Sequence, residues 1–89
     1  MLEREIEITN KLGLHARAAA KLVKIAGAFA SSIEIEKQDQ RVNAKSIMSV
    51  MMLAASRGNT VTLFVQGADE NEAMNSVIHL IESKFGEDE

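Results

Sequence analysis

Cysteine is absent from the sequence, which excludes a disulfide framework, a thiol nucleophile and any cysteine-based metal site. The same absence fits a reducing compartment, and the cytoplasm is the expected location. Tryptophan and tyrosine are missing too, and basic residues are scattered along the chain. With a formal net charge of −3 the chain has neither the stacking rings nor the positive field that nucleic acid calls for, so no nucleic-acid partner is expected. No apolar run approaches the roughly 18 residues of a membrane span, so no membrane insertion is expected. Met1-Leu2-Glu3-Arg4-Glu5 lacks the basic and apolar regions of a signal peptide. There is no metal-ligand cluster, no acid/base carboxylate pair and no nucleotide loop. The chain is therefore expected to need no cofactor or metal and not to act as an enzyme by itself.

What is present fits one domain over residues 1–89, long enough to bury a core without staples. Ile6 and Ile8 alternate with Glu5 and Glu7, a half-buried strand pattern over residues 2–8. Residues 16–27 place Ala19, Leu22, Val23 and Ala26 on one helical face, with Lys21 and Lys24 turned to solvent. Gly27 loosens the end of that helix, and Phe29 is expected to plug the core after it. Ile33 and Ile35 alternate with Glu34 and Glu36 in a second strand, and Gln38-Asp39-Gln40 turns the chain into a third around Val42. Ile47 to Ala54 reads as a short apolar helix capped by Ser46. Val61, Leu63 and Val65 alternate with Thr62, Phe64 and Gln66 in a fourth strand. Asp69 and Glu72 have the spacing of a capping box at the last helix, whose buried stripe is Ala73, Val77, Leu80 and Ile81. Glu87-Asp88-Glu89 reads as a frayed acidic tail. The order βαββαβα, with one polar face per strand, predicts an α/β (α+β) open-faced two-layer sandwich: a four-stranded antiparallel sheet covered on one face by three helices.

The chemistry concentrates at Gly13-Leu14-His15-Ala16-Arg17-Ala18-Ala19-Ala20. Gly13 ends an extended stretch and the alanines begin a helix, so His15 falls at the helix N-terminus. Unpaired N–H groups of Ala16, Arg17 and Ala18 and the helix dipole make such an end a phosphate cradle. Arg17 adds a planar donor fork, and the alanines leave the approach open. His15 then reads as a phosphoryl acceptor and donor, although a histidine at a helix start also serves as a plain cap. Ile47, Met48, Val50, Met51, Met52 and Leu53 are too apolar for a helix with a single buried face. Ile47, Met48 and Met51 are expected to form an exposed, adaptable docking patch. His79 reads as a surface or boundary residue, and Lys45, like Lys21 and Lys24, as solvated.

Asn10-Lys11-Leu12-Gly13-Leu14-His15-Ala16-Arg17-Ala18-Ala19-Ala20-Lys21-Leu22-Val23 resembles the active-site segment of HPr, the histidine-containing phosphocarrier family of the bacterial phosphotransferase system. Lys45-Ser46-Ile47-Met48-Ser49-Val50-Met51-Met52-Leu53 resembles that family's regulatory-serine segment. The resemblance covers essentially the whole chain. It implies that His15 takes a phosphoryl group on the ring nitrogen nearer the backbone from Enzyme I, charged by phosphoenolpyruvate, with Arg17 assisting. It implies delivery to IIA proteins or domains, for sugar uptake, regulation or both, and a monomeric carrier. Ser46 would be the substrate of HPr kinase/phosphorylase, with the cap as its role otherwise. Ala18 stands where most members have proline. Two other readings remain at this point: a regulatory binding protein acting through Ser46 and the patch, and a small-ligand or RNA-binding sandwich.

Overall fold

In the computed structural model, which describes residues 1–87, the elements follow the expected order. They are β1 (Leu2–Glu7), α1 (Ala16–Gly27), β2 (Ser32–Lys37), β3 (Gln40–Asn43), α2 (Ile47–Met52), β4 (Thr60–Gln66) and α3 (Glu70–Glu82), and a single 3-10 turn (Lys84–Gly86) follows α3. The strands form one sheet in the order β1-β4-β2-β3, every neighbouring pair antiparallel. The sandwich of four antiparallel strands and three helices is the predicted one.

Alternation decides which face each strand buries. Val61, Leu63 and Val65 of β4 pair in register with Ile35 and Ile33 of β2 and with Ile6 and Leu2 of β1, and these residues face the helices. Each fully buried Leu, Ile or Val contributes roughly 1.5–3 kcal/mol of transfer free energy. Thr62, Glu34 and Glu36 lie on the uncovered face. Phe64 shares that face yet is only 9% exposed, because the Arg41 guanidinium lies 3.6 Å above its ring while Nε donates to Glu34 at 2.9 Å. The β2–β3 connection is a two-residue turn with Lys37 opposite Gln40. Gln38 and Asp39 both have positive φ, as a type I′ hairpin turn requires.

Small residues on α1 let it pack closely on α2 and α3: Ala18, Ala19, Leu22 and Ala26 are buried, and Val23 only partly. Phe29 packs at the edge of the core, half-buried. On α3 the buried stripe is Ala73, Met74, Val77, Ile78 and Ile81; Leu80 is only half-buried, a one-position rotation of the expected face.

The capping box is absent. Asp69 makes no side-chain cap of α3. Its carboxylate accepts instead from the Ser31 hydroxyl and from the Ala30 and Ser31 N–H groups, each N–H at 2.9 Å. The Ser31 hydroxyl first, then the Ala30 N–H, hold this carboxyl below its ordinary range. Glu70 rather than Glu72 reaches back, accepting from the Gly67 N–H at 3.2 Å. Helix α2 ends at Met52, two residues early, because Ala54 turns to φ 54 and Lys37 Nζ donates to its carbonyl at 3.0 Å. No helix among the described residues is long and apolar enough to cross a membrane.

Candidate functional site

The segment that carries His15 is fixed from below by a contact of backbone on backbone. Gly13 has φ +63, and a Cβ there would lie 2.5 Å from the Ala55 carbonyl oxygen. Only glycine satisfies both conditions. Leu14 N–H then donates to Ala55 O at 2.9 Å, which seats the loop on the segment following α2. Beside it, the Asn10 amide is fully buried and donates to Gly13 O at 2.8 Å and to Glu87 Oε1 at 3.0 Å. Both neighbours are acceptors, which fixes the amide nitrogen towards them. Asn10 Oδ1 is buried without a hydrogen-bond partner among the described residues.

His15 is the N-cap of α1, in extended conformation at ψ 178, and its side chain is 26% exposed. Its Nδ1 accepts from the Arg17 backbone N–H at 3.3 Å, and its Nε2 lies 2.6 Å from Glu87 Oε2. A nitrogen that accepts from an amide must present its lone pair, and one facing a carboxylate must carry the proton. The two partners therefore assign the ring as the Nε2–H tautomer with the Nδ1 lone pair turned to the helix end. The His15 hydrogen bond first, and the Asn10 amide second, hold the Glu87 carboxyl below its ordinary value, against a smaller upward push from desolvation.

Of the expected cradle, Ala16 and Arg17 are exposed, whereas Ala18 is fully buried. The Arg17 N–H is already engaged by the imidazole. The Arg17 guanidinium has no ion pair or hydrogen bond among the described residues and is free to meet an incoming anion.

The sequence reading missed Glu87. It lies 72 positions from His15, so no local spacing connects the two. Glu87 is not frayed; Asp88 and Glu89, the rest of that expected tail, lie outside the described residues. The available signal was Phe85, an aromatic residue just past the last helix. It is fully buried, and Lys21 Nζ donates to its carbonyl at 2.6 Å. That anchor carries Glu87 to the imidazole. It also means that Lys21 is not simply solvated. Neither is Lys45, whose Nζ donates to Phe29 O at 2.8 Å.

Ser46 caps α2, its Oγ accepting from the Ser49 N–H at 3.4 Å. Ile47, Met48 and Met51 are exposed, at 40%, 66% and 40%, and Met52 and Leu12, which the pattern did not single out, are exposed to a similar degree. Helix α2 packs on α1, so this apolar surface flanks the loop bearing His15. His79 is exposed and lines a separate surface groove with Ile25, Asn75 and Ser83.

A histidine whose Nδ1 accepts from a backbone N–H at the start of a helix, on an open-faced sandwich of this order, defines a class: small α/β domains with a histidine at a helix N-terminus. Comparison with known proteins narrows the class. Residues 2–83 match the family model described as the PTS HPr component phosphorylation site. The phosphocarrier protein HPr of Cupriavidus necator is 55% identical over 89 residues, covering all of both chains. A crystal structure of HPr from Thermoanaerobacter tengcongensis superposes with a TM-score of 0.96 at 54% identity, again over all of both chains. A second structure from that organism, described as an HPr dimer, gives a TM-score of 0.79 at 55% identity and covers 98% of this chain and all of its own. The chain belongs to the HPr family of phosphocarrier proteins of the bacterial phosphotransferase system.

Proposed function

We propose that His15 accepts a phosphoryl group at Nδ1 from Enzyme I, itself charged by phosphoenolpyruvate, and passes it to IIA proteins or domains, serving sugar uptake, regulation or both. The observation that carries this reading is the Nδ1 lone pair held at the start of α1 by the Arg17 N–H, with Nε2 protonated on Glu87. When the lone pair is committed to phosphorus, the Arg17 N–H is released and meets a phosphoryl oxygen instead. The Ala16 N–H and the unpaired Arg17 guanidinium complete the cradle, and Ala18 supports it as a packed residue of the first turn. A helix end contributes on the order of 0.3–1 kcal/mol toward a negative group at an exposed site. That is enough to position a phosphoryl group without trapping it.

The carrier acts as substrate and cosubstrate of phosphotransferases, needs no cofactor, and works as a monomer in the cytoplasm. Leu12, Ile47, Met48, Met51 and Met52 form the docking surface, since unbranched methionines re-pack against differently shaped partners. Ser46 is the acceptor for HPr kinase/phosphorylase. A phosphate there adds roughly −1.5 to −2 charges beside the docking surface and weakens partner binding.

Incubation with phosphoenolpyruvate and Enzyme I from the same organism tests the reading. Intact-mass and peptide analysis should find one acid-labile, base-stable phosphate on His15, absent from His15→Ala. Equal labelling of His15→Ala would overturn it.

A further inference from the structure

We propose that Glu87 is a positioning residue for phosphoryl transfer: its carboxylate holds the His15 Nε2–H, keeps the Nδ1 lone pair aimed at the helix end, and stabilises the positive charge the ring acquires when Nδ1 bonds to phosphorus. The proposal rests on the carrier reading above. Its grounds are geometric. The Nε2–Oε2 distance is 2.6 Å, and the other carboxylate oxygen is tied at 3.0 Å to the Asn10 amide, which itself is anchored on Gly13 O. Glu87 has 18% of its side chain exposed. Its backbone is set by the buried Phe85, by the Glu87 N–H donating to Lys84 O at 3.0 Å, and by Lys21 on Phe85 O. The chain of contacts runs from the loop before α1, through Asn10 and Glu87, to the ring.

The charge balance explains why a carboxylate suits this position. In the forward step the Nδ1 lone pair forms the N–P bond while the donor's bond to phosphorus breaks and its electron pair stays with the donor. No proton moves. The ring, protonated on Nε2 and now substituted on Nδ1, is cationic, and Glu87 faces the nitrogen that shares this charge. In the reverse step the ring regains its lone pair and becomes neutral. The carboxylate therefore favours the phosphorylated ring in its protonated, transferable form. The charged groups on the elements framing the ring are Lys11 in the β1–α1 loop, Arg17, Lys21 and Lys24 on α1, Arg57 in the segment after α2, and Lys84 and Glu87 in the C-terminal segment; α2 itself contributes none. Glu87 alone among the described residues contacts Nε2.

Glu87→Gln removes the charge and keeps the shape. The test follows phosphorylated His15 by phosphorus NMR against pH, and measures the rate of phosphoryl acceptance from phosphorylated Enzyme I by rapid quench. Thermal unfolding of the unphosphorylated proteins checks the fold. In Glu87→Gln the protonation midpoint of the phosphorylated ring should fall by about one pH unit, the low end for loss of an adjacent opposite charge. The acceptance rate should fall on the order of 10-fold, the factor that one pH unit of lost stabilisation of the cationic ring corresponds to. The unfolding temperature should fall by no more than about 4–8 °C, the loss of roughly one hydrogen bond, because the amide keeps one acceptor oxygen for the two donors. A merely structural role for Glu87 would not move the midpoint. If the wild type is phosphorylated on His15 and Glu87→Gln matches it in both midpoint and rate, the proposal is overturned while the carrier reading stands. If the wild type itself takes no phosphate, the carrier reading falls and the proposal falls with it.

Discussion

Replacing Gly13 by alanine should unseat the His15 loop, and the structure gives the size of the effect. The added Cβ would lie 2.5 Å from Ala55 O and 2.7 Å from the Ser56 Cα, both backbone atoms with no rotamer to yield. The φ of +63 costs an L residue about 1–2 kcal/mol, of which roughly 0.4–1 kcal/mol returns through a stiffer unfolded chain. Moving Ala55 O away breaks its 2.9 Å bond from the Leu14 N–H, about 1 kcal/mol net. The local shift itself costs about 1–3 kcal/mol, as overpacking does elsewhere. The sum is about 4 kcal/mol. For a domain of this size each kcal/mol moves Tm by roughly 4–8 °C, so thermal unfolding followed by circular dichroism should show Gly13→Ala lower by about 16–32 °C. The Gly13 carbonyl also holds Asn10 and, through it, Glu87, so phosphorylation of His15 should slow even where the variant remains folded. A drop in Tm below about 5 °C would refute the reasoning, since it would mean that the backbone contact relaxes almost freely.

The Asp69 carboxylate ties α3 to the Ala30–Ser31 loop, and its folded-state pKa is lowered, chiefly by the Ser31 hydroxyl. Its stabilisation is thus present above the unfolded carboxylate pKa and is lost as pH falls through the lowered folded value. Urea midpoints of the wild type and Asp69→Asn should differ at neutral pH, begin to approach each other below about pH 4 and meet only below the lowered folded value; a gap independent of pH would show that the carboxylate charge is not what matters. Ala54 holds φ 54 at the end of α2. An L residue pays about 1–2 kcal/mol for this conformation, and glycine gives back roughly 0.5–1 kcal/mol in chain entropy. Ala54→Gly should therefore raise Tm by a few degrees, and a fall in Tm would contradict the left-handed assignment.

The layout of the fold was readable because its signals are periodic. Ile33 and Ile35, or Val61, Leu63 and Val65, can face the core only in a strand, and the alanine-rich stretch from Ala16 to Ala26 can bury one face only in a helix. What escaped the sequence depends on contacts between distant segments. Asp69 has the spacing of a cap, yet three donors from the Ser31 loop outcompete the two helical N–H groups it could have reached. Lys21 and Lys45 look solvated by periodicity, but their long stems deliver the ammonium to carbonyls at Phe85 and Phe29. Met52 and Leu12 widen the exposed apolar surface because α2 stops early and because Leu12 rides on the loop before α1. His15, Arg17 and Ser46 were legible since a helix start leaves local marks; Glu87 was not, since its partner lies at the other end of the chain.

The two functions of His15, cap and proposed phosphoryl acceptor, use the same electron pair, and this bears on how firmly the cargo is held. In the free protein the Nδ1 lone pair caps α1 through the Arg17 N–H. A good side-chain cap is worth about 1 kcal/mol, and at 3.3 Å this one is long. Phosphorylation at Nδ1 withdraws the pair and so removes the cap, but it brings phosphoryl oxygens to the same N–H and to the helix dipole, a contribution of similar size. The helix end is capped in either state, first by imidazole and then by phosphate, and the net change in capping is small. A residue that capped α1 strongly would resist phosphorylation, and an uncapped helix end would bind the phosphoryl group too well to release it. The long Arg17 N–H bond lies between these limits, as the proposed carrier role of His15 requires.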